Sequence, residues 1–98
     1  MPSTQDYCDF VLDQLSLLSD ISSRKMMGEY ILYYKGKIFG GIYDNRFLVK
    51  PTESAKKIMP DAPLEVPYPG GKKMLLVEDI DNKEFLKGLV LALYNALP

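Results

Sequence analysis

The 98-residue chain contains no histidine, and that absence excludes much chemistry at once. Imidazole is the commonest general base near neutral pH and the commonest side-chain metal ligand. A single cysteine, Cys8, leaves no intrachain disulfide, no Cys–His pair and no zinc site, and points to a reduced, cytoplasmic setting. No apolar run reaches the roughly 18–20 residues of a membrane span, so no membrane association is expected. The first residues show no basic stretch followed by an apolar one, as a secretion signal requires. Internal repeats and low-complexity tracts are missing too. Strong charge of one sign is absent: the formal net charge is −1 and the pI near 5.3, which argues against a general phosphate-binding surface.

What is present is the make-up of a folded domain. Hydrophobic residues at 47% and charged residues at 26% exclude a disordered chain and are enough for one domain, residues 1–98, around one core. Charge is uneven along the sequence. Asp6, Asp9, Asp13 and Asp20 are the only charged residues before Arg24, whereas residues 24–57 hold eight bases against three acids.

The pattern predicts a first helix over Thr4–Leu18, capped by Ser3 or Thr4. Its apolar stripe is Tyr7, Cys8, Val11, Leu15 and Leu18, and its four aspartates face the other way as a solvated outer surface. Three strand-like runs follow. Tyr30, Leu32 and Tyr34 alternate with Ile31 and Tyr33; Ile38, Gly40 and Ile42 alternate with Phe39, Gly41 and Tyr43; Phe47, Leu48 and Val49 make the third. Lys35-Gly36 and Asp44-Asn45 are turn signals, and turns this short require antiparallel pairing. A short extra strand is expected near Lys25–Met27, with Met26 and Met27 filling core gaps.

Thr52 caps a second helix that stops before Pro60. Residues 60–71 read as a loop, with Glu65–Pro69 as a candidate edge strand. Met74–Val77 is a strand, and Asp79 or Asp81 caps a last helix over Asn82–Leu97. In that helix Phe85, Leu86, Leu89, Val90, Leu93 and Leu97 form the packing stripe, and Leu91 and Tyr94 lie off it. The result is a two-layer α+β domain in which an antiparallel meander sheet packs with three helices, in the order α, three or four strands, α, one or two strands, α. Apolar residues on both sides of the strands leave one question: either helices wrap both faces or one face meets a partner.

Arg24-Lys25-Met26-Met27-Gly28-Glu29-Tyr30, the Tyr34-Lys35-Gly36-Lys37 turn, Phe39-Gly40-Gly41 and Leu48-Val49-Lys50-Pro51 together resemble the TfoX N-terminal domain family, as do Pro67-Tyr68-Pro69 and the closing Leu97-Pro98. That family is the amino-terminal module of the competence regulators called TfoX or Sxy. The resemblance implies an α+β fold with an antiparallel sheet and a regulatory role without catalysis. The helical C-terminal module of the two-domain regulators has no counterpart in these residues.

No catalytic residue, cofactor or metal site is expected. Gly70-Gly71-Lys72-Lys73 lacks the strand–GxxxxGK[ST]–helix context of a phosphate loop and reads as a turn. Glu78, Asp79 and Asp81 lack calcium-loop spacing. The favoured reading is a non-enzymatic interaction domain with a protein partner, and it admits a homodimer. Candidate contact residues are Arg24, Lys25, Glu29, Lys37, Arg46 and Lys50 from the basic middle third, with Leu91 and Tyr94 on the last helix. Direct nucleic-acid binding by the middle third is the second reading and a small enzyme the third.

Overall fold

In the computed structural model, which describes residues 2–98, the first turn of helix follows from one hydroxyl: Thr4 Oγ1 accepts from the Tyr7 N–H at 3.2 Å. Helix α1 covers Gln5–Gln14. It ends earlier than its apolar stripe predicts. The Leu15 N–H is shared between the Val11 and Leu12 carbonyls, Ser16 bonds Asp13 and Leu18 bonds Leu15, so the chain tightens into three-residue turns. This keeps Leu15 and Leu18 buried while the chain turns back toward the sheet. Asp20 therefore lies outside the helix, and its carbonyl accepts from the Lys35 N–H.

Four strands follow as a meander: β1 Ile21–Met26, β2 Glu29–Tyr34, β3 Lys37–Tyr43 and β4 Arg46–Val49. β1 is longer than the short strand expected, because every residue from Ile21 to Met26 has a partner on β2. Each connection is a two-residue hairpin with both residues at positive φ: Met27-Gly28, Lys35-Gly36 and Asp44-Asn45. This is the turn whose twist matches paired strands. Helix α2, Glu53–Ile58, is capped by Thr52 as expected. β5 Leu64–Glu65 and β6 Met74–Leu76 complete a six-stranded antiparallel sheet of order β1-β2-β3-β4-β6-β5. Helix α3, Lys83–Ala96, is capped by the Asn82 side chain, which accepts from the Phe85 N–H at 3.1 Å. Asp79 and Asp81 do not take that position.

The α+β arrangement agrees with the sequence, but strict alternation fails in β3. Leu32 pairs with Gly40 and Tyr33 with Ile38, so Phe39 is an extra residue, a bulge. Phe39 enters the core and meets Phe47 edge-on, ring centroids 6.4 Å apart. It does not share a face with Tyr43, as a regular strand would require. Gly40 makes the bulge feasible: a Cβ there would sit 2.3 Å from the Leu48 carbonyl oxygen.

All three helices lie on one face. Cys8, Val11 and Leu15 of α1, Ala55 of α2 and Leu86, Leu89, Val90 and Leu93 of α3 join Tyr30, Leu32, Ile42, Phe47, Val49 and Leu75 in one buried cluster. Cys8 belongs to it as a packing residue. Burial pushes its thiol pKa up, the charge of Asp9 adds to this, and a hydrogen bond from Ser23 opposes it.

Candidate functional site

Paired strand residues share a face, so the register assigns the other side of the sheet. It carries Arg24 and Met26 from β1, Glu29, Ile31 and Tyr33 from β2, Ile38, Gly41 and Tyr43 from β3, and Arg46 and Leu48 from β4. Among the described residues no helix covers this face. Residues 66–73 cross part of it instead, and Pro67 is the buried residue of that segment.

Arg46 holds that loop in place. Its guanidinium donates to Glu65 Oε1 at 2.7 Å, to the Val66 carbonyl at 3.2 Å and to the Pro67 carbonyl at 3.4 Å, while Nε bonds its own turn at the Tyr43 carbonyl. A planar five-donor head suits such a spread of acceptors. Tyr68 is thereby set against Tyr43, ring centroids 6.0 Å apart. The Tyr43 ring lies close against Gly41, where a Cβ would fall 2.6 Å from the nearest ring carbon. Burial raises the Tyr43 pKa, and Tyr68, Glu29 and Tyr33 raise it further, so the phenol stays neutral at physiological pH.

The Tyr43–Tyr68 pair is a ridge between two grooves. One, about 490 Å³, is lined by Met26, Met27, Glu29, Ile31 and the two tyrosines. The other, about 660 Å³, runs past Ile38, Lys50, Pro67, Gly71, Lys72, Lys73 and Met74, and among the described residues no carboxylate lines it. Met27 is 97% exposed and Met26 46%, so these methionines do not fill the core as expected. Among the described residues, Arg24, Lys50, Lys72 and Lys73 make no ion pair.

The residues singled out from sequence divide sharply. Glu29 is an internal clamp: it accepts from the Ser3 N–H and hydroxyl at 3.0 and 2.7 Å and from the Asp44 N–H at 3.2 Å, tying the N-terminal segment to a hairpin turn. Lys37 faces the helices, donates to the Leu97 carbonyl at 3.3 Å and sits 4.6 Å from the centre of the Tyr94 ring. Tyr94 also meets Tyr34 edge-on at 5.2 Å, and both Tyr94 and Leu91 are half-buried against the core. Arg24 and Lys25 are exposed on β1, Arg24 on the uncovered face and Lys25 on the opposite one. The candidate bases therefore do not share one patch: Lys25 and Lys37 are on the helix side of the sheet, and Arg24 and Arg46 on the uncovered face. Lys50 is joined instead by Lys72 and Lys73, whose Gly-Gly-Lys-Lys context identifies a turn but not its neighbour in space. Among the described residues, no group of three His, Cys, Asp or Glu side chains gathers where it could hold a metal ion. No helix there is long and apolar enough to cross a membrane.

These features define an α+β domain with one covered and one partly uncovered sheet face. The chain belongs to the TfoX N-terminal domain family, whose model matches residues 13–90. It is also similar to an uncharacterized 12.7 kDa protein in the trpE 5' region of Spirochaeta aurantia, 34% identical over 80 residues that make up 82% of this chain and 70% of that protein. No solved structure matches significantly.

Proposed function

We propose that the chain is a non-enzymatic regulatory domain that acts by protein contact, in the manner of the first module of the competence coactivators for which its family is named. The observation that carries this reading is the uncovered sheet face. Met26, Met27, Ile38, Val66 and Tyr68 expose large apolar surface there, and contiguous apolar exposure on a small domain marks an interaction site. Tyrosine and methionine suit contact surfaces, because they bring apolar area with a polar or adaptable atom. Both grooves are open, and the polar side chains of the larger one are two tyrosines and three lysines that make no ion pair among the described residues, which favours contact over catalysis.

The test is a photo-crosslinking residue placed at Tyr68, compared with one at Lys87 on the exposed side of α3, in extract of the source cell. A discrete protein adduct from position 68 alone is expected. Equal labelling from both positions, or none from position 68, removes the reading. Direct nucleic-acid binding is the second reading, and it has the Lys50–Lys72–Lys73 cluster in its favour. It requires an affinity that falls steeply with salt.

A further inference from the structure

The two grooves differ in chemistry, and that difference points to a particular kind of occupant. The groove at Met26, Met27 and Ile31 is mostly apolar, with Glu29 the charged residue at its wall. The groove on the other side of the tyrosine ridge carries three lysines and no acid. From this we infer that the uncovered face takes an extended, acidic segment of a partner protein, with an apolar side chain in the methionine groove and carboxylates at Lys50, Lys72 and Lys73. This rests on the contact reading above and names the partner's chemistry.

Three observations select this occupant over others. The lysines have no ion-pair partners among the described residues, so an incoming carboxylate displaces none. Arg24, which makes no ion pair among the described residues, lies in the same strand row as Ile31 beside the methionine groove; Glu29 keeps its charge there but is turned onto the Ser3 N–H and hydroxyl and the Asp44 N–H, so that groove takes the apolar side chain and not a carboxylate. Of a second copy's acidic clusters, Asp6, Asp9 and Asp13 stand on a helix, and the exposed Glu78, Asp79 and Asp81 flank Ile80, which packs against its own core, so neither cluster pairs carboxylates with a free apolar side chain on an extended strand. Single-stranded nucleic acid could stack on tyrosines. It would, however, approach a chain of net charge −1 and find only a few cations to neutralise its phosphates. A short segment with two or three carboxylates needs no more than those few.

The experiment is a selection of displayed random short peptides on the intact chain. A selected peptide is then titrated by fluorescence anisotropy against the intact chain and two variants. Enriched peptides are expected to combine clustered Asp or Glu with a bulky apolar residue. Lys72→Glu/Lys73→Glu should weaken the selected peptide by roughly tenfold or more, with a reduced salt dependence, and Met27→Ser should weaken it less. Both variants alter exposed loop or turn side chains, and circular dichroism confirms that each is folded. Enriched peptides without acids, no enrichment, or affinity unchanged by the double charge reversal each overturn the inference. So does a single-stranded oligonucleotide that binds more tightly than the peptide and is lost in the same variant. If the position-68 crosslink survives in Lys72→Glu/Lys73→Glu while peptide acidity proves irrelevant, the contact reading stands and this inference alone falls.

Discussion

The two faces of this sheet start from similar sequence and end differently. On the covered face Leu32, Ile42, Phe47 and Val49 are wholly buried, and helices α1 and α3 supply leucines and valines that interdigitate with them. On the other face Leu48 is wholly buried but Ile31, Tyr33 and Tyr43 are only half-buried, and a proline-rich loop held by Arg46 crosses part of that face. Strand alternation puts apolar residues on both sides, but three helices in a chain this short suffice for one. The covered face accounts for stability, and the uncovered face is free to make contact.

The largest test of that division is a pair of truncations. Leu89→Ala should reduce unfolding free energy by about 2–5 kcal/mol, as loss of a fully buried leucine does, whereas Tyr68→Ala should change it by about 0.5 kcal/mol or less. Denaturant melts measure both, and comparable losses would dissolve the distinction between the faces. Next in size is Gly40→Ala at the bulge. The Leu48 carbonyl that its Cβ would strike is backbone and cannot swing away, so a loss of about 1–3 kcal/mol is expected. Gly88→Ala on α3 has open space and ordinary helical φ, and should raise stability by about 0.5–1 kcal/mol.

Arg46→Ala sharpens the comparison from the uncovered side. The pair with Glu65 is partly solvated, so the global effect should stay near or below about 1 kcal/mol. Amide exchange should nevertheless accelerate selectively in residues 66–73, because three of the arginine's four hydrogen bonds hold the segment at Glu65–Pro67. Uniform acceleration across the sheet would show that the loop is part of the main cooperative unit. The smallest effect is with pH. Burial raises the Cys8 and Tyr43 pKa values above their ordinary 9.0 and 10.0, so the unfolded chain ionises first as pH climbs. Their contribution is complete below pH 9 and is lost as pH rises through the folded-state values. Melts in Cys8→Ala should show a shallower decline from pH 9 upward.

Much of the fold was legible because local chemistry and periodicity agree. The Lys35-Gly36 and Asp44-Asn45 turns, the Thr4 and Thr52 caps and the Leu86–Leu93 stripe all use signals carried within a few residues. The misreadings share the opposite property. Phe39 leaves its alternating face because a bulge is set by pairing with β2, and nothing within the strand announces it. α1 stops at Gln14 because Leu18 must reach the core from a turn. Met26 and Met27 look like packing residues until the Met27-Gly28 hairpin places them at the edge of an uncovered face. Glu29 and Arg46, two polar residues of the basic middle third, prove to be clamps whose partners lie 26 and 19 positions away.

An α+β domain with an antiparallel meander, its family, and the lack of histidine and of a cysteine pair can all be read from the residues in order, because composition, caps, turns and two-residue alternation are local properties. Tertiary packing alone set which apolar face the helices take, which bases are already engaged, and that Lys50, just past β4, lines one groove with Lys72 and Lys73 from a distant loop. Those outcomes depend on where each strand lands against its neighbours, and short-range propensity does not encode long-range register.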